Sequence, residues 1–395
     1  MNTTSDQAPS PHRGAGRSPS PVDDLADLLR ESRVRIRFGA GMLRGLGAFA
    51  GETGATRVLL VTDPGIVAAG HAERAVESLR SAGLNVTVFD GVAENPTTEH
   101  VEAGVAVARE AEIDFLIGLG GGSAMDCAKG INFLLTGGGR MQDYWGVGKA
   151  TRPMLPMIAV PTTAGTGSEA QSFALITDPA TQQKMACGDK KAACRLAVLD
   201  PDLLETVPRP VAAATGIDAV AHAIETAGCT RRNAASRAFS RAAWARLEPA
   251  FETAYRHPAD AAAREKMLLG AHLAGAAIEH SMLGAAHACA NPLTARYGIV
   301  HGAAVGVMLP PVIRFNAAAG ENPYADLCED AAALARRVSA MLAAADLPET
   351  LSDCGIAEEA LPELAAMAAE QWTARFNPRA MDREALLEIY RSALG

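Results

Sequence analysis

FLIGLGGGSAMDCAKG (115–130) runs from an apolar, strand-like stretch straight into three consecutive glycines and on into a helix-forming segment. Strand, tight turn and helix in that order decide the kind of fold. Glycine permits positive φ and lets a ligand approach the backbone, while free amides and the dipole at a helix start attract an anion. Gly120, Gly121, Gly122 and Ser123 are therefore either a cradle for a pyrophosphate or a structural tight turn. The pattern only approximates GxGxxG, because Ser123 stands where the third glycine belongs.

Upstream, RVLLVTD (57–63) is followed by a helical stretch near 67–82, and NVTVF (85–89) by another near 97–111. Strands alternating with helices at this spacing imply a parallel sheet covered by helices, because each parallel crossover needs a dozen or more residues. MIAVP (157–161), FALIT (173–177) and LAVLDP (196–201) are further candidate strands. Beyond Pro208 the texture changes to long Ala/Leu/Glu/Arg stretches without a convincing β run, which have high helix propensity. The expected division is a disordered tail over 1–28, rich in Ser, Pro, Thr and Gly up to about Asp23, then an α/β domain over 29–207 and an all-helical domain over 208–395.

The carboxyl ends of parallel strands are where open α/β sheets bind ligands. PTTAGTGSE (161–169) lies there, and Thr162, Thr163 and Thr166 can bond phosphate or ribose or serve a plain connection. Asp63 closes RVLLVTD. A carboxylate at that place bonds ribose hydroxyls and repels a 2′-phosphate, favouring NAD(H) over NADP(H), or it opens the turn that follows.

The net charge of −9 argues against a chain that coats nucleic acid or an anionic membrane and points to small-molecule partners. Seven cysteines without a CxxC pair read as reduced thiols, and no run of about eighteen apolar residues or signal-like start is present, so a cytoplasmic location is expected.

GIDAVAHAIE (216–225) sets Asp218 and His222 four residues apart, on one face of a helix. Alone they read as a surface pair or a capping interaction. LGAAHACANPLTARYGIVHG (283–302) adds His287 and His301 among small residues. Three imidazoles and a carboxylate suit one divalent ion, Fe(II) or Zn(II), whereas a structural zinc site usually uses thiolates. His280, seven residues before His287, is expected near the same face.

With RFGAG (37–41), VTD (61–63), GGGSAMDCAK (120–129), PTTAGTGSE, DAVAHAIE (218–225), the fourteen-residue separation of His287 and His301, and NPR (377–379), the chain resembles the iron-containing alcohol dehydrogenase family over about residues 34–394. The resemblance implies a Rossmann-like α/β domain followed by an all-α domain, the dehydroquinate synthase-like architecture. It also implies one metal on Asp218, His222, His287 and His301, with iron ahead of zinc. The dinucleotide would meet Asp63, Gly121, Gly122, Ser123, Asp126, Thr162 and Thr163, in a homodimer or larger assembly.

Many family members carry a further histidine four residues after the third ligand, proposed to relay a proton. Asn291 stands there, and an amide is neither acid nor base. Water, ribose hydroxyls or His280 would then carry the proton. Phe173 replaces a polar residue that some relatives offer to hydroxylated substrates. The implied activity is hydride transfer between nicotinamide and an alcohol or aldehyde, or a hydroxy acid or keto acid. Maleylacetate reductase-like, transhydrogenase and dehydroquinate synthase-like lyase activities are the alternatives. The lyase needs several cations, and only Arg296 lies near the proposed ligands.

Overall fold

The structure is a computed structural model that describes residues 21–181 and 183–395. Nine strands occur among them: β1 (Arg35–Phe38), β2 (Arg57–Val61), β3 (Asn85–Phe89), β4 (Phe115–Gly120), β5 (Gly146–Val147), β6 (Met157–Pro161), β7 (Phe173–Asp178), β8 (Gln183–Gly188) and β9 (Leu196–Leu199). Six form one parallel sheet in the order β1-β9-β6-β4-β2-β3. Its helices are α1 (Pro21–Glu31), α2 (Leu46–Glu52), α3 (Pro64–Ala68), α4 (His71–Ser81), α5 (Thr98–Glu110) and α6 (Gly122–Gly137).

The central strands β4 and β6 are buried at every position, which is why they read as continuous apolar runs rather than alternating ones. Side chains still alternate between faces. Val58 and Leu60 of β2 join Leu46 and Leu79 in one core layer, while Leu59 and Val61 face the other, larger core. That larger core continues without a break into the helical part through Ile217 and Leu309.

From Arg209 onward every regular element is a helix: α7 (Arg209–Gly228), α8 (Ala234–Arg256), α9 (Ala261–His280), α10 (Ala285–Tyr297), α11 (His301–Ala317), α12 (Ala331–Ala344), α13 (Leu361–Ala369) and α14 (Arg383–Ala393), with short 3-10 turns between some of them. No helix among the described residues is long and apolar enough to cross a membrane. All seven cysteines are free thiols.

Three expectations need correction. Residues 21–28 are not an irregular tail, because α1 begins at Pro21 and packs Leu25, Leu28 and Leu29, spaced as one helical stripe, against the core. The rest of the expected tail, 1–20, lies outside the described residues. The single helix near 67–82 is two, divided at Gly70, whose φ is +76°. FALIT is a strand, yet it pairs antiparallel with β8 in a separate three-stranded sheet, β5-β8-β7, rather than joining the parallel one.

Candidate metal and cofactor site

α7 is buried along most of its length and carries three ionisable side chains on one face, Asp218, His222 and Glu225. Groups of that kind need partners inside a protein. α10 supplies His287 and the first residue of α11 is His301. α11 reaches α7 because residue 302 is glycine: a Cβ there would stand 1.9 Å from the Ala214 carbonyl oxygen.

Four donor atoms converge as a result. His222 Nε2 and His287 Nε2 each lie 3.3 Å from Asp218 Oδ1, and 3.1 Å from one another. His301 Nε2 lies 3.9 Å from the same oxygen, and its side chain is 30% exposed, at the open side of the cluster. Ligands about 2.1 Å from a tetrahedral ion are about 3.4 Å apart, so the separations among Asp218, His222 and His287 fit a single small cation, with His301 farther out at its open side. Asp218 Oδ1 is buried without a hydrogen-bond partner, as an oxygen reserved for a cation would be. The donor set, three imidazole nitrogens and a carboxylate, suits Fe(II) or Zn(II).

Glu225 completes this arrangement and was not singled out from the sequence. Its Oε1 accepts a hydrogen bond from Ala286 N at 2.7 Å, and its Oε2 meets His287 Nδ1. A carboxylate on Nδ1 keeps the proton there and turns the Nε2 lone pair to the ion. Its position three residues after His222 and seven after Asp218 was the available signal. The electrostatics follow from the same contacts. Burial would push the Asp218 carboxyl up, but His222, His287 and His301 together hold it far below the usual range. Burial lowers His222. For His287 burial also acts downward, yet Glu225 and Asp218 outweigh it and raise the ring to about 9.

The glycine segment is a tight turn at the start of α6. Gly120 has φ +150°, and a Cβ there would come within 2.8 Å of Ala124 Cβ and 3.1 Å of Asp63 Oδ2. Gly121 is the N-cap of α6 and offers no side-chain cap, which leaves the first-turn amides of α6 free for an anion. Asp63 opens the turn that follows it, one of the two readings considered: Oδ1 accepts from Ile66 N at 3.1 Å and caps α3, while Oδ2 is turned toward Gly120.

The PTTAGTGSE loop joins this turn to the metal cluster. Thr162 N donates to Gly120 O at 2.9 Å, and Thr166 lies so close to Gly122 that a Cβ there would stand 2.7 Å from its hydroxyl oxygen. Thr163 lines Gly121, and on the other side Gly165 packs on Thr215, three residues before Asp218. Ser123 Oγ accepts from Asn95 N at 3.3 Å, and Asn95 Oδ1 accepts from Lys184 Nζ at 3.1 Å. Lys184 was not singled out from the sequence; its side chain bonds Asn95, beside Ser123.

Other expected residues lie elsewhere. Asp126 does not face the cleft with free oxygens: Oδ1 accepts from Ser168 Oγ at 2.6 Å and Oδ2 from Leu175 N at 3.1 Å, so it braces α6 against the loop and β7. His280 is not brought to the ligands. α9 ends at His280 and α10 starts at Ala285, so the seven-residue spacing to His287 crosses a break and shares no helix face. Its ring stacks on Phe239 at 5.5 Å, with Nε2 buried and unpartnered. Asn291, one turn past His287, donates from Nδ2 to Gln371 Oε1 at 3.0 Å.

Comparison with known proteins agrees with this geometry. The iron-containing alcohol dehydrogenase profile matches residues 33–201, and the C-terminal profile of the Fe-containing alcohol dehydrogenase family matches 212–394. Alcohol dehydrogenase 4 of Schizosaccharomyces pombe is 34% identical over 90% of this chain and 87% of its own. For 1,3-propanediol dehydrogenase of Citrobacter freundii the identity is 34%, over 90% and 96%. The crystal structure of a 1,3-propanediol oxidoreductase superposes with a TM-score of 0.87 at 32% identity, covering 91% of this chain and 97% of that one. Sulfoacetaldehyde reductase from Bifidobacterium kashiwanohense, solved in complex with NAD+, gives 0.84 at 28% identity, over 92% and 97%. With both halves matched and the ligand residues clustered, this chain belongs to the iron-containing alcohol dehydrogenase family.

Proposed function

We propose that this protein is a metal-dependent, NAD(H)-linked alcohol dehydrogenase or aldehyde reductase, an oxidoreductase acting on CH–OH. The observation that carries the reading is the convergence of Asp218, His222, His287 and His301 beside a glycine turn, with the PTTAGTGSE loop spanning the two. When bound, the ion would polarise the substrate oxygen as a Lewis acid and the dinucleotide would carry the hydride.

The chain's own residues do the rest. Asp218 and the three histidines hold one divalent ion, Fe(II) ahead of Zn(II) because the matching family is iron-containing while the donor set suits both. Glu225 fixes the His287 ring. The amides of Gly121, Gly122 and Ser123 receive the diphosphate, and the loop threonines line its other side. Asp63 Oδ2 accepts from ribose hydroxyls and repels a 2′-phosphate, which favours NAD(H) over NADP(H). Asn291 is bonded to Gln371 and, as an amide, exchanges no proton, and His280 is turned to Phe239. That leaves water or a cofactor ribose hydroxyl as the proton carrier. We further propose a cytoplasmic homodimer or larger homo-oligomer acting on small molecules.

Metal content per chain and NADH oxidation with a panel of aldehydes and keto acids test the reading. One ion per chain and turnover lost in His287→Ala is the expected result. A metal-bearing protein that oxidises NADH with none of them refutes it.

A further inference from the structure

The substrate side of the cleft is built from aromatic rings and amides. Asn291 is bonded to Gln371, and the next residue, Trp372, stacks on Phe173 of β7, with ring centroids 6.3 Å apart and planes 29° apart. Phe376 meets Trp372 edge-on at 5.8 Å. Phe173 comes from the sheet-bearing half and Trp372 from the helical half, so the pair bridges the two halves beside the Asn291–Gln371 bond, one turn past His287. Trp372 keeps 37% of its surface exposed.

Phe173 is firmly placed. Lys129 Nζ donates to its carbonyl at 2.8 Å, and the preceding Ser172 N donates to Glu279 Oε2 at 2.9 Å. Its ring covers Gly188, where a Cβ would stand 2.3 Å from a ring carbon. None of these wall side chains ionises. One cation, Arg231, stacks over Phe376 at 5.5 Å.

We infer that Phe173 and Trp372 select uncharged substrates with a flat apolar body, aryl-alkyl aldehydes and the matching primary alcohols, over short hydroxylated or carboxylated ones. The inference rests on the dehydrogenase reading above and specifies its substrate. An aromatic body gains stacking and dispersion on two preplaced rings. A carboxylate or an extra hydroxyl set against the same two rings loses hydration without gaining stacking or a hydrogen bond from them.

The test is NADH oxidation by metal-loaded wild type, Trp372→Ala, Trp372→Phe and Phe173→Ala, with phenylacetaldehyde, acetaldehyde, glycolaldehyde and succinic semialdehyde. Wild type should favour phenylacetaldehyde over acetaldehyde in kcat/KM by about 10- to 100-fold. That ratio should fall toward one in Trp372→Ala, mainly through KM, and return in Trp372→Phe. Phe173→Ala should lower it independently if Trp372→Ala fails to fold. A ratio near one in wild type, a ratio that survives both alanine variants, or succinic semialdehyde as the best substrate overturns the inference. Turnover without the preference removes only the aromatic selection, whereas no NADH oxidation with any of the four removes the dehydrogenase reading and this inference with it.

Discussion

Replacing Glu225 by glutamine exchanges one oxygen for an amide at the place that orients His287. The native carboxylate serves Ala286 N through Oε1 and His287 Nδ1 through Oε2. Glutamine can keep the backbone bond only by turning its NH2 toward Nδ1. The ring must then carry its proton on Nε2, the atom that faces Asp218 and His222. Loss of such a supporting partner costs about 10- to 100-fold in metal affinity, or about 1.4–2.7 kcal/mol. Competition with a chelator of known affinity measures this directly, and NADH turnover at saturating metal shows whether the site still assembles. The expected result is a weakened metal Kd with activity largely recovered by excess ion. A Kd within about threefold of wild type would refute the argument that Glu225 sets the tautomer.

Gly302→Ala should destabilise the protein by about 1–3 kcal/mol or more through the clash with the Ala214 carbonyl, read as a lowered denaturant midpoint together with reduced metal occupancy. Asp63→Ala should raise the NADPH-to-NADH ratio of kcat/KM by about tenfold or more and cost about 1 kcal/mol as the α3 cap is lost; an unaltered cofactor ratio would clear Asp63 of the discrimination. His71 is buried between Thr206 and Arg74, and burial first, then Arg74, lowers its pKa from 6.5. Because the unfolded chain takes up the proton more readily, its contribution to stability is whole above about pH 6.5 and is lost as pH falls toward the folded-state pKa. His71→Gln should flatten that part of the acid slope in thermal melts, and an identical slope would contradict it.

The parts of the fold that were legible are those where one local pattern suffices. β4 and β6 are wholly buried and therefore continuously apolar, and the glycine turn must follow β4 because Gly120 needs its positive φ. β1 and β8 went unread: RIRF is a mostly exposed edge strand with two arginines, and QKMACG gains its identity from pairing with β5 and β7. The proposed metal ligands could be picked out because Asp218 and His222 share a helix turn and the later histidines are set among small residues. Glu225 was in plain view in the same helix, but its partner is 62 residues away, and only packing reveals the contact. Lys184 and Trp372 meet partners from distant segments, Asn95 and Phe173, a relation no periodicity records. His280 misled because spacing was counted through a break between helices, and Asp126 because a residue one turn into α6 turns inward to Ser168 rather than outward.

The proposed ligands are drawn from three separate helices, α7, α10 and α11. An ion held that way is also a fastener, and mass action gives its strength: free metal at a hundred times its Kd adds about 2.7 kcal/mol to folding. The protein's lifetime then depends on something outside its sequence. A cell short of the metal would lose this enzyme twice, first as activity and then as intact chain, because the loosened helices become substrates for proteolysis. Abundance would follow metal supply without any dedicated regulator.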